Sequence, residues 1–243
     1  MKRLVAGVDG ARGGYVVVTA RLGHPASAEV RLVADFASVL ALDPLPEAIA
    51  VDMPIGLPTV GTPGGRACDR AARAVLGQRQ SSLFAVPSRR AVACLDYRDA
   101  CAVALATSDP PRKVSMQAFN LFPKMREIDA LMTPALQARV FECHPEVAFV
   151  TLNGGNALGE PKKVRSAPYA PGLALRQGLL EAAGFPRRLF EPGLIARSAA
   201  TPDDILDAAV NAWAAARIAR GEATCFPDEP ERDERGLVMA IHA

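Results

Sequence analysis

The chain has 243 residues, half of them hydrophobic and 22% charged, with a formal net charge of +2. That supplies enough apolar material for one sizeable core, and the near-neutral balance excludes a global pull toward nucleic acid or anionic membrane. Five cysteines (68, 94, 101, 143 and 225), odd in number and without a CxxC pair, exclude a disulfide framework or a zinc site.

The apolar run after Lys2 and Arg3 reaches only Val8, too short for a signal peptide, and no run has bilayer-spanning length. A cytoplasmic protein without a membrane partner is expected. Residues 4–20 (LVAGVDGARGGYVVVTA) read as a β-hairpin. Two β-branched runs flank a glycine-rich turn, and Asp9 ends the first strand. An uncompensated buried carboxylate there costs several kcal/mol, although an aspartate also suits the start of a turn.

Residues 28–34 alternate as a third strand, and Asp35 caps a short helix closed by a turn at residues 43–46. EAIAVD is an apolar strand that again ends in an acid, Asp52, and MPIGLP stops regular structure after it. Residues 61–137 then read as a largely helical insertion within a single domain spanning 1–243.

In that insertion Cys68, Ala71, Ala72 and Val75 form an apolar stripe, with Arg66, Arg70 and Arg73 on another face. Residues 61–98 hold seven arginines against two aspartates, which suits either a solvated face or a lip that holds phosphates. Helices follow at about 97–107 and 116–131. The second carries Gln117, Asn120 and Lys124, and Pro123 must kink or divide it.

A strand at residues 138–143 places Glu142 near its end, and His144-Pro145 leads into the helix PEVAFVTL, where Glu146 reads as a first-turn acid. Residues 153–172, with Lys162, Lys163 and Arg165, read as an exposed basic loop, and a helix at 173–183 ends at Gly184. Thr201 and Pro202 open a helix that Gly221 ends. Asp203 and Asp204 suit its first turn, while Asp207 shares a polar face with Asp204 and Asn211. DEPERDER reads as a solvated charge run and GLVMAIH as a closing edge strand.

Asp9, Asp52 and Glu142 end strands that would lie side by side if strands one, four and five were adjacent, and the final helix brings Asp204 and Asp207. Carboxylates a few ångströms apart repel by about 3 kcal/mol per pair at an effective dielectric near 20, so the cluster demands cations. Oxygen ligands without His or thiolate point to Mg²⁺ or Mn²⁺, and two such ions suit phosphodiester hydrolysis.

The blocks GVDGARGGY, VDMPIGLP, RACDRAARAVLG, SSLFAVPSR, SMQAFNLFPKMREID, ECHPEVAF and DDILDAAVNAWAA, in this order, resemble the uncharacterised domain-of-unknown-function family 429, predicted RNase H-like nucleases. Tyr15 stands where that family leads one to expect tryptophan. The resemblance implies an α/β RNase H-like fold, a mixed sheet flanked by helices with the insertion after its fourth strand. It implies a metal-dependent nuclease acting on nucleic acid, with Asp9 bridging two metals between Asp52 and Glu142 on one side and Asp204 and Asp207 on the other. Lys124, Arg66 and His144 would contact phosphate or orient water, although His144 also suits a local hydrogen bond.

Two other functions stand beside this one. A sugar-kinase or actin-type phosphotransferase also opens with a strand, Asp and Gly, but it needs a second Asp-Gly phosphate loop that this chain lacks. A non-catalytic or small-molecule-binding relative is compatible with the absence of a strongly basic groove.

Overall fold

The computed structural model describes residues 3–165 and 167–243. Its centre is a five-stranded mixed sheet. Strands β1 (Leu4–Ala11), β2 (Gly14–Arg21) and β3 (His24–Val33) form an antiparallel meander, and β4 (Ala48–Val51) and β5 (Val140–Glu142) add in parallel beside β1. The order is β3-β2-β1-β4-β5. Adjacency of β1, β4 and β5 follows the sequence expectation, while Asp9 falls inside β1 rather than at its end and Asp52 lies one residue past β4.

Alternation along the strands divides the core into two layers. Val5, Val16, Val18, Ala48 and Ala50 face one side. There they meet α7 (Pro145–Leu152), α8 (Ala170–Ala182) and α9 (Pro202–Arg220), with α2 (Ala67–Val75) alongside. Ala6, Val8, Tyr15, Val17, Ile49 and Val51 face the other side and pack on α1 (Phe36–Leu40), α3 (Arg89–Val92), α4 (Tyr97–Ala106), α5 (Met116–Phe119) and α6 (Phe122–Leu131). Helices α3 to α6 come from residues 61–137, so this stretch supplies most of one helical layer. Pro123, in the first turn of α6, divides it from α5.

Tyr15 is fully buried, tilted against Phe36 at 5.6 Å, and its hydroxyl donates to Glu127 Oε2 at 2.7 Å. That bond answers the polar tip that an aromatic side chain carries into a core.

Two terminal expectations need correction. Val238–His242 (β7) does not close the main sheet: it pairs with β6 (Cys225–Arg232) in a separate ribbon, touching the main sheet through a bridge between Cys143 and His242. The charge run before it is not merely solvated either. Asp233 accepts from the Leu57 and Leu237 N–H groups and pairs with Arg89, which tethers the ribbon to the turn after β4.

The position of α9 is set by Gly7. A Cβ built there would lie 2.0 Å from Ala212 N and 2.1 Å from Ala208 O, so helix backbone rests directly on strand backbone. Alanines at 208, 209, 212, 214 and 215 keep that helix face flat, and Asn211 Nδ2 donates to Val8 O at 3.0 Å. Gly7→Ala should cost about 3 kcal/mol or more, because neither backbone can yield. Chemical denaturation measures this, and a loss below about 1 kcal/mol would refute the close seating.

Candidate active site

Gly7 and Asp9 point to the same side of β1. The helix that rests on Gly7 therefore carries Asp207 and Asp204, one and two turns nearer its start, toward Asp9, and both raise its proton affinity through their charge. The parallel ladder then fixes Asp52. Its N–H donates to Val8 O at 3.0 Å, one step beyond the Val8–Val51 pair, which sets it level with Asp9. The two carboxyl groups are near enough for each to shift the other's proton affinity.

Burial, with the neighbouring Asp207, Asp52 and Asp204 charges, pushes the Asp9 carboxyl well above the usual carboxylate range. Burial and then Asp207 push Asp52 up to about 7. Asp207 rises to about 6, through burial opposed by Lys162. Acids this close demand cations, and side chains supply several of them. Lys162 Nζ lies 2.5 Å from Asp207 Oδ2 and 3.6 Å from Glu146 Oε1. Its burial disfavours the charge, but Asp207 and Glu146 hold its pKa well above that of an ordinary lysine.

Lys162 is therefore not part of an exposed basic loop, and Glu146 is not only a helix-start acid. Glu146 is buried and takes both ends of the fully buried Arg176 fork, at 2.9 and 2.6 Å. Asp203 is likewise more than a helix-start acid: it is buried, with Lys163 at 2.8 Å and the Thr201 hydroxyl at 2.7 Å.

Glu142 departs from the expected ligand set. It is level with Val51, whose side chain faces the opposite layer from Asp52, so the pleat aims Glu142 differently from the Asp9–Asp52 pair, although it lines the same cleft and its charge still raises Asp52. Both its oxygens are engaged, by Arg66 at 2.5 and 2.8 Å and by the Ile55 N–H at 2.7 Å. Asp204 also differs, since its Oδ2 accepts the Thr201 N–H at 2.8 Å as a helix cap.

The expected phosphate-holding arginines have internal partners. Arg66 is buried between Asp69 and Glu142. Arg70 donates to Gly65 O and Thr62 Oγ1, and Arg73 to Gly64 O and Leu83 O, so both brace the turn before α2. Arg89 pairs with Asp129, Asp233 and Glu234.

His144 Nε2 faces Ser82 O at 3.3 Å, its buried Nδ1 has no partner among the described residues, and burial lowers its pKa to about 4. Lys124 does reach the acids. Its stem passes over Gly10, where a Cβ would come within 2.9 Å of it, and its Nζ donates to Gly14 O at 2.7 Å above the Tyr15 ring.

Asp9, Asp52, Arg66, Glu142 and His144 line a cleft of about 290 Å³, with Gln117, Asn120 and Lys124 beside them. Such a concave site with few convergent polar groups is a binding-site candidate. Among the described residues, no group of three or more His, Cys, Asp or Glu side chains stands ready to hold a metal ion. Asp9 and Asp52 carry unfavourable like-charge contacts, and Asp207 Oδ1 is a buried oxygen without a hydrogen-bond partner among the described residues. Glu142 is held by Arg66 and Asp204 by the helix cap.

A profile described as a protein of unknown function, DUF429, matches residues 7–232. The chain belongs to the DUF429 family. No match to it was found among curated proteins or solved structures. The family span includes Lys162, Glu146 and Arg176 of this DUF429 protein, the cleft's charged neighbours that a pass along the sequence does not single out. For Arg176 a signal existed: it lies on the stripe between Leu173 and Leu180 of α8, where a charge needs a buried partner. For Lys162, in an irregular loop, no local pattern distinguishes it from Lys163.

Lys162→Met should strand Asp207 and Glu146 without their shared cation and cost about 3 kcal/mol in chelator, a loss that saturating Mn²⁺ should partly restore. Equal melting temperatures for variant and wild type would disprove the pairing.

Asp52 binds its proton more tightly folded than unfolded. Its contribution therefore favours the folded state at low pH and is lost as pH rises from about 3.8 through about 7. In chelator, Asp52→Asn should gain on the wild type across that window, by roughly 2 kcal/mol at pH 8 after allowing for solvent screening. His144 acts in the opposite sense in both proteins and cancels in the difference. A pH-independent difference in melting temperature would contradict the buried acid pair.

Proposed function

We propose that this protein is a divalent-metal-dependent phosphodiester hydrolase built on an RNase H-like fold, acting on nucleic acid. The observation that carries the reading is the meeting of Asp9, Asp52 and Asp207 from three separate elements at one sheet end, the first two lining a cleft, with more negative charge than Lys162 neutralises. The strand order, with an antiparallel meander extended by two parallel strands and a helix across β1, supports the fold assignment.

Asp9, Asp52 and Asp207 would hold Mg²⁺ or Mn²⁺. A bound ion of this kind supplies an activated water and charge stabilisation at the phosphate. Lys124, steadied on Gly14 O and the Tyr15 ring, presents a cation beside Asp9 for a phosphate oxygen. Arg66 has a positioning role, tying Glu142 to the Ile55–Gly56 carbonyls and so fixing the segment after Asp52. A binder without catalysis is the second reading, and it draws on Lys162, which already occupies one side of Asp207.

With Mn²⁺ the wild type should hydrolyse bis(p-nitrophenyl) phosphate. Asp9→Asn, Asp52→Asn and Asp207→Asn should each lower kcat at least a hundredfold, while Asp204→Asn should lose less than tenfold. Absence of metal-stimulated hydrolysis in the wild type, together with an unchanged melting temperature on adding Mn²⁺, would leave the binder.

A further inference from the structure

The acid cleft does not stand alone. Phe84 and Val86 line both it and a second cavity of about 220 Å³, which opens toward Arg112 and Lys113. On its other side, Gln117 and His144 line both the cleft and a third cavity of about 340 Å³, which reaches Arg79. Shared lining residues set these three hollows side by side in a row, with the Asp9 and Asp52 carboxylates in the middle one.

The cations at the two ends are free to meet an anion. Arg112 and Lys113 are exposed and form no salt bridge among the described residues. Arg79 donates to the Leu158 and Gly159 carbonyls, so no carboxylate cancels its charge. By contrast, Lys162 and Lys163 are paired with Asp207 and Asp203 and contribute little net attraction.

A groove with an acidic centre and positive ends matches an extended polyanion whose reacting phosphate descends to the middle while its flanking phosphates stay at the ends. The partly exposed Phe84 packs against the core between cleft and second cavity and lines both, which puts an aromatic side chain where a base would lie. Asp9 is only 7% exposed at the groove floor. A single strand bends to bring one phosphodiester toward that floor at less cost than a duplex, whose backbones are stiffened by pairing.

We infer that the groove binds single-stranded nucleic acid, with Phe84 as a stacking platform and Arg112 and Lys113 as a phosphate subsite. This rests on the hydrolase reading above and names the substrate class of that site.

Fluorescence polarisation with chelator present tests it, using labelled single-stranded DNA and RNA 12-mers, the matching duplexes and a mononucleotide. Single strands should bind at least tenfold tighter than duplexes. Phe84→Ala should weaken that binding about tenfold. The double variant Arg112→Gln/Lys113→Gln should flatten the salt dependence by about 1.4 in log–log slope, two single-strand phosphate contacts' worth. Duplex binding equal to or tighter than single-strand binding, binding of the mononucleotide alone, or an unchanged slope would each overturn the inference. Wild-type hydrolysis of bis(p-nitrophenyl) phosphate with Mn²⁺, assayed in parallel, reports on the hydrolase reading separately. Hydrolysis without single-strand preference rejects only the groove, and single-strand binding without hydrolysis rejects the chemistry.

Discussion

The contact between α9 and β1 at Gly7 is the constraint on which the site depends. Backbone meets backbone there, so helix and strand have almost no freedom to slide. Asn211 adds a side-chain bond to Val8 O within the same contact. With that crossing fixed, the periodicities of strand and helix place Asp9 opposite Asp207 without further adjustment. The parallel ladder between β1 and β4 then adds Asp52 at the same level. Three acids remote in sequence are brought together by two packing relations, neither of which involves a charge.

Holding those acids together is an electrostatic problem that the protein solves unevenly. Glu142 is matched by Arg66, Glu146 by Arg176 and Asp203 by Lys163, each in a short contact. Among the described residues Asp9 and Asp52 have no such partner, and Asp207 shares one lysine with Glu146. Paired acids make rigid walls, while under-compensated acids form the floor, where a cationic or cation-bound ligand gains most. The basic residues of 61–98 contribute to the walls: Arg66, Arg70, Arg73 and Arg89 brace turns and carboxylates around the cleft.

Residues 61–137 show how an apparent insertion becomes structural. Their helices α3 to α6 cover the sheet face that carries Val8, Val17 and Val51, and α6 delivers both Lys124 to the cleft and Glu127 to Tyr15. The same segment also contributes Phe84, Arg112 and Gln117 to the groove. No helix among the described residues is long and apolar enough to cross a membrane.

Much of this was legible in the chain. Apolar runs ending in Asp9 and Asp52, the capped helix from Thr201 to Gly221 and the shared face of Asp204, Asp207 and Asn211 depend on local spacing, which sequence records directly. Pleat register and charge pairing were not legible. Whether Glu142 faces Asp52 or Arg66 turns on a single residue of strand alignment, and a one-residue shift reverses the side-chain direction. Whether Lys162 is solvated or buried against Asp207 turns on where an irregular loop returns in space. The sequence by itself determined which acids the strands and the final helix carry and that their charges needed compensation. Only the tertiary structure decided which cation answers which acid, because ion pairing depends on distance in space and those partners lie 45 and 76 residues apart.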